Sequence, residues 1–259
     1  MEQHDPSIRH EALALLDRGV PNRAVAERLN VPRGTIGWWR HEARKERGEQ
    51  VEVRRSLLCP LCDERPLDRA SYAYLLGLYL GDGYISHYVR HRTPSLQVTM
   101  DDAWPGLQDA AEAAFRAVFP YNAICRQRRK GCQNIKVSFK HLACLFPQSG
   151  PGRKHERKIE LNGWQQKIVD EHPWALLRGL IHSDGCRCTN WTEKIIGGQL
   201  KRYEYPRYFF TNLSDDIRRL YTDTLDAVRV EWRQANAKNI SVAKRASVAL
   251  MDAHIGPKY

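Results

Sequence analysis

Leu75-Leu76-Gly77-Leu78-Tyr79-Leu80-Gly81-Asp82-Gly83 returns later in the same chain, degraded but recognisable, as Leu177-Arg178-Gly179-Leu180-Ile181-His182-Ser183-Asp184-Gly185. Each copy is an apolar run with small residues four apart, Gly77 and Gly81 in one, Gly179 and Ser183 in the other. Residues four apart share a helix face, so small ones there let two helices pack with their backbones in close contact. Each run ends in an acid followed by glycine, and Asp82 and Asp184 lie 102 positions apart, the length of one compact repeat. A duplicated helix ending in a carboxylate predicts two acids meeting at a pseudo-twofold axis. Two such acids repel unless cations lie between them, so the pattern predicts a two-acid metal site.

The 259 residues suffice for one moderate domain or two small ones, and a 42% hydrophobic fraction excludes global disorder. A net charge of +11 is too basic for an ordinary metabolic enzyme. Arginine-rich stretches at 40–55 and 126–130 carry much of that excess and predict a polyphosphate partner, most simply nucleic acid. No apolar run approaches the roughly 18 residues of a membrane span, and Met1 opens no signal peptide, so no membrane partner is expected. Seven cysteines at irregular spacing do not make a disulfide framework. Free or metal-bound thiols in a reducing cytoplasm, beside the nucleoid, fit better.

Residues 1–47 are expected to form a small helical domain of three short helices. The first repeats Ala12, Leu15 and Leu16 and stops at Gly19; the second follows Pro21, with Asn22 as its cap and Ala24, Val25, Ala26 and Leu29 turned inward. A tight turn at Asn30-Val31 and Pro32 then lead into a third helix through Ile36 and Trp39. This order resembles a helix-turn-helix whose recognition helix carries Arg33, Gly34, Thr35, Trp38 and Arg40 towards bases or phosphates. Residues 48–70 read as a charged linker containing Cys59-Pro60-Leu61-Cys62, half of a tetrahedral Zn²⁺ site awaiting distant ligands such as a histidine.

From Ser71 onward the chain reads as one order of elements performed twice, over 71–150 and 172–259, with a Gly- and Lys-rich connector at 151–171. Each half runs acid-ending helix, two strands, amphipathic helix, two strands, short helix. The amphipathic helices cover 107–118 and 217–228, with Asp101-Asp102 and Ser214-Asp215-Asp216 as their capping starts. Late strands pass through 134–139 and 239–244 before closing helices at 142–146 and 248–253. With both end motifs at repeat spacing, residues 71–259 resemble a two-repeat LAGLIDADG homing endonuclease. The first motif is close to complete; the second keeps its glycine, leucine, isoleucine, acid and final glycine.

The resemblance implies an α+β fold of tandem αββαββα repeats with pseudo-twofold symmetry, monomeric because the pseudo-dimer is already covalent. It implies that Asp82 and Asp184 hold Mg²⁺, an oxygen-seeking ion able to activate water and stabilise a leaving 3′ oxygen. A basic residue from a late strand of each repeat assists: Lys136 or Lys140 in the first, Lys244 or Arg245 in the second. Strand register decides which member of each pair points inward. The sheets would lie along the major groove, with Arg90, Arg92, Gln97, Arg126, Arg128 and Lys136 as candidate contacts in the first half. Arg187, Lys201, Arg207, Arg233, Gln234 and Lys238 are the candidates in the second. His182, two positions before Asp184, is a candidate to tune it, whereas His87 and His91 are scattered singly. The expected activity is site-specific double-strand cleavage; the alternative is a non-cleaving DNA-binding regulator on the same scaffold.

Overall fold

The computed structural model describes residues 5–49, 59–86, 93–256 and 258. The chain divides into two compact units, Met1–Arg54 and Arg55–Tyr259. The front unit holds α1 (Pro6–Asp17), α2 (Asn22–Leu29) and α3 (Arg33–Glu46). Ala12, Leu15, Leu16, Val25, Val31, Ile36 and Trp39 form its core, and Asn30 turns the chain through a left-handed φ of 49°. Two local expectations fail. Pro21, not Asn22, occupies the α2 cap, and the Asn22 amide oxygen accepts from Arg40 at 3.1 Å instead. Ala24 is exposed, because burial of Val25 turns its neighbour 100° round the helix towards solvent.

The second unit runs α4 (Arg69–Leu80), β1 (Gly83–Ser86), β2 (Ser95–Asp101), α5 (Pro105–Val118), β3 (Ile124–Arg129), β4 (Cys132–Ser138) and α6 (Leu142–Leu145). A short 3-10 turn (Lys154–Glu156) and α7 (Gly163–Glu171) make the connector. Then come α8 (Pro173–Asp184), β5 (Gly185–Ile196), β6 (Gln199–Thr211), α9 (Asp215–Ala227), β7 (Arg233–Asn236), β8 (Asn239–Val242) and α10 (Arg245–His254). This is αββαββα twice, as the resemblance implies. Both sheets are antiparallel, ordered β1-β2-β4-β3 and β5-β6-β8-β7.

Helix α4 lacks a polar face: every residue from Tyr72 to Leu80 is buried. Such a helix belongs at a centre, packed on several sides, and α8 is its main partner. A Cβ added at Gly77 would lie 2.5 Å from the Leu176 carbonyl oxygen and 2.9 Å from the Gly179 Cα. One added at Gly179 would collide with the Tyr74 carbonyl oxygen. Both glycines are therefore contact points between two backbones, and only a missing side chain allows that approach. Ser183 fits beside Gly81 because its hydroxyl turns back onto its own helix, donating to the Gly179 and Leu180 carbonyls at 3.0 Å.

The connector is fastened to this centre by a buried polar cluster. Tyr72 donates to the Leu145 carbonyl at 2.5 Å and accepts from the Gln165 amide at 2.8 Å, while Gln148 donates to Gln165 at 2.7 Å. Buried amides need such partners, since an unmatched one costs about 1–3 kcal/mol. Of the two expected helix starts, Ser214 caps α9 by accepting from the Ile217 amide. Asp101 instead ends β2 and accepts from the Ala103 amide at 2.8 Å, so α5 begins at Pro105 without a side-chain cap.

Candidate active site

Helix α4 stops at Leu80, and Gly81 turns the chain so that Asp82 follows just beyond the helix end; α8 runs through Asp184 itself. Side-by-side packing therefore brings both acids to one end of the central pair. At Gly81, an added Cβ would lie 3.3 Å from the Asp184 Cγ. Burial raises the Asp184 carboxyl from 3.8 to about 6, and the charge of Asp82 adds to this. Opposing the rise, Asn212 at the end of β6 donates to Asp184 Oδ2 at 2.6 Å. Asp82 keeps contact with solvent, yet enough protein surrounds it that burial pushes its carboxyl up, against the pull of Lys154 and Lys258.

Lys154 comes from the connector, and its ammonium donates to three carbonyls around the acid-bearing turn: Tyr79 at 2.7 Å, Gly83 at 3.0 Å, and Gly81. Burial lowers this ammonium to about 8, while Asp184 and Asp82 pull the other way. Lys258 approaches from the C-terminal side, its ammonium 3.5 Å from the Ser183 carbonyl oxygen. A cleft of about 470 Å³ opens here, lined among others by Asp184, Asn212, Lys154, Arg153, His155 and Arg157. A carboxylate on a wall of basic side chains suits a phosphodiester together with its counter-cation.

The expected late-strand bases lie elsewhere. Strand β8 ends at Val242, so Lys244 stands at the start of α10, where its ammonium pairs with Glu231. Arg245 is the first residue of that helix. Lys136 lies in mid-strand, opposite Gln97 and Cys125, and Lys140 follows the strand's end, exposed. None of the four lines the cleft. Lys154 reaches it from the run Arg153-Lys154-His155-Glu156-Arg157-Lys158, whose density of cations after Gly150-Pro151-Gly152 was the available signal. His182 is buried with its Nδ1 3.0 Å from the Tyr74 hydroxyl, and burial lowers it to about 4, so it packs as a neutral core residue.

Register divides the strand candidates between two faces. In the first sheet Leu96, Val98, Met100, Ile135 and Val137 are buried towards the helices, leaving Gln97 and Lys136 on the open face. Arg126 pairs with Ile135 and Arg128 with Gln133, which puts both on the helix side. There Arg126 binds Asp109 at 2.6 Å and also Glu112. In the second sheet Tyr208 and Phe210 face the helices, so Arg207, Lys201 and Arg233 share the open face. Gln234 pairs with Ile240 on the helix side, and Arg187 is engaged there by Asp252 at 2.7 Å. Arg207 is held over Tyr205 and Phe209, with Nε buried and lacking a partner among the described residues. Lys238 sits in the β7–β8 turn; Arg90, Arg92, His87 and His91 lie outside the described residues.

In the front unit, Arg33, Trp38 and Arg40 are exposed on α3 and Thr35 is half-buried beside them. Trp38 leaves 57% of its surface in solvent while Trp39, about 100° round the helix, is buried. In the second unit, Cys59 is fully buried and Cys62 exposed, beside His141 and Cys144. Among the described residues no helix is long and apolar enough to cross a membrane.

Solved structures similar to this chain include the LAGLIDADG meganuclease I-AabMI bound to uncleaved DNA. It matches with TM-score 0.46 and 10% identity over 71% of this chain and 82% of that one. A variant of the homing endonuclease I-DmoI in complex with its target DNA matches with TM-score 0.49 and 14% identity, over 72% and 96%. Full-length DUF199/WhiA from Thermatoga maritima matches with TM-score 0.43 and 11% identity, over 79% and 59%. No protein family matches the sequence, and no curated protein does.

Proposed function

We propose that the chain binds a specific double-stranded DNA site and cuts both strands at the paired acids. The observation carrying this is the convergence of Asp82 and Asp184, one from each repeat, at one end of the central helix pair, beside a cleft that Asp184 lines together with Arg153, Lys154, His155 and Arg157. The donors on offer are the oxygens of two carboxylates, which fits Mg²⁺. Bound there, that ion would supply an activated water and charge stabilisation at phosphorus. Asn212 fixes the orientation of Asp184, while Lys154 holds the turn around Asp82 and adds positive charge where the phosphate arrives. The open sheet faces, with Gln97, Lys136, Arg207 and Arg233, would read the groove. The front unit would act as a helix-turn-helix that adds contacts through Arg33, Thr35, Trp38 and Arg40.

A second reading is a non-cleaving regulator, favoured by Lys154: a buried ammonium already balances part of the acid charge. Selection of bound sites from a random-sequence DNA library, followed by incubation of the winners with Mg²⁺ or Mn²⁺, decides between them. Endonuclease function predicts double-strand breaks; tight binding to intact DNA under both metals supports the regulator and sinks the nuclease.

A further inference from the structure

Cys59, Cys62, His141 and Cys144 converge on one point although 79 residues separate the two central members. Their ligand atoms all lie within 4.8 Å of one another. Cys62 Sγ is 3.4 Å from His141 Nδ1 and 3.6 Å from Cys144 Sγ, and Cys144 Sγ is 3.8 Å from His141 Nδ1. A zinc ion about 2.3 Å from each sulfur and about 2.1 Å from nitrogen has tetrahedral edges of roughly 3.6–3.8 Å. The triangle of Cys62, His141 and Cys144 has edges of 3.4–3.8 Å, close to these, and the Cys59 sulfur lies within 4.8 Å of all three.

We infer that these four side chains form a closed structural zinc site that staples the segment entering α4 to the end of the first repeat. The local chain is shaped for it. Two residues separate Cys59 from Cys62 and two separate His141 from Cys144, so each pair reaches one ion from a single turn. The first turn is fixed by Cys59 donating its amide to Asp63 at 2.6 Å, by Asp63 donating back to the Cys59 carbonyl at 2.9 Å, and by Arg65 donating to Pro60. His141 and Cys144 bracket the start of α6, whose Leu142 and Leu145 are fully buried, so the second pair stands on a rigid base.

Three sulfurs and one nitrogen select a soft-to-borderline tetrahedral ion, not Mg²⁺. With all four positions taken by protein the ion has no open site, so it stabilises and does not catalyse. The cluster is separate from the acid pair, and the inference does not rest on the proposed nuclease function.

The experiment is elemental analysis of the intact chain purified without added metal, with Co²⁺ substitution read by absorption. Expected are one zinc per chain and, with cobalt, intense tetrahedral d–d bands with thiolate charge transfer. Cys62→Ser and Cys144→Ser should lose the metal, whereas Cys186→Ser should keep it. Absence of stoichiometric zinc together with no tetrahedral cobalt spectrum overturns the inference, as does stoichiometric iron, or a thiol count showing a Cys62–Cys144 disulfide. The measurements on the unaltered chain stand even where a variant fails to fold.

Discussion

Two glycines and one aspartate carry the tightest demands on identity. Gly77→Ala and Gly179→Ala each place a methyl against the opposing helix backbone, which cannot retreat without separating α4 from α8. Each should cost about 1–3 kcal/mol or more in urea unfolding. Gly34→Ala, in α3 with nothing within 4 Å of the new methyl, should be neutral or slightly stabilising. Asp184 makes a pH prediction for the metal-free protein. Its carboxyl titrates near 6 in the folded state against 3.8 as a free side chain, so the folded state holds the proton more tightly. Its contribution to stability is complete below about pH 4 and is lost as pH rises through about 6. Asp184→Asn should therefore gain on the unaltered chain by about 2–3 kcal/mol between pH 4 and 7.5, in EDTA. A constant difference across that range would rule out the buried, repelled carboxylate.

At the scale of strands and helices, register sorts cations that look alike in the sequence. Arg207 and Arg233 lie on the open face, whereas Arg126 and Arg128 lie on the helix side, Arg126 held by Asp109 and Glu112. Arg233→Ala and Lys136→Ala should weaken DNA binding and reduce its salt dependence by about one phosphate contact each; Arg126→Ala should leave that slope unchanged. A fall of the slope in Arg126→Ala equal to that in Arg233→Ala would contradict the face assignment. The Gln148–Gln165–Tyr72 cluster makes a different prediction. Gln165→Leu leaves Gln148 and the Tyr72 hydroxyl short of a partner, and should cost about 1–3 kcal/mol in thermal or denaturant unfolding.

Across the complete fold, the sequence disclosed what depends on local pattern. Element order, the central helix pair and its acids followed from periodicity and repeat spacing, because the small residues and carboxylates sit inside the helices they define. Contacts set by long chain closure stayed hidden. Lys154 reaches the acid-bearing turn from more than 70 residues away, and His141 and Cys144 meet Cys62 from about 80 residues away. Neither approach leaves a periodic trace. The faces of Arg126, Arg128 and Gln234 turn on a one-residue register, and Lys244 misses its expected place because β8 ends two residues before it. Zinc binding likewise acts on the second unit as a body: chelation should lower its melting temperature, and resupplied Zn²⁺ should restore it.

Everything proposed for the acid pair meets in one measurement, Mg²⁺-dependent cleavage of a selected target by the intact chain and by Asp82→Asn and Asp184→Asn. The account predicts that the unaltered protein cuts both strands. Each variant should bind the same site with cleavage slowed at least about a thousandfold, on the order of 4 kcal/mol of barrier. Variants that cut at the unaltered rate, or an unaltered protein that binds and never cuts, would contradict it.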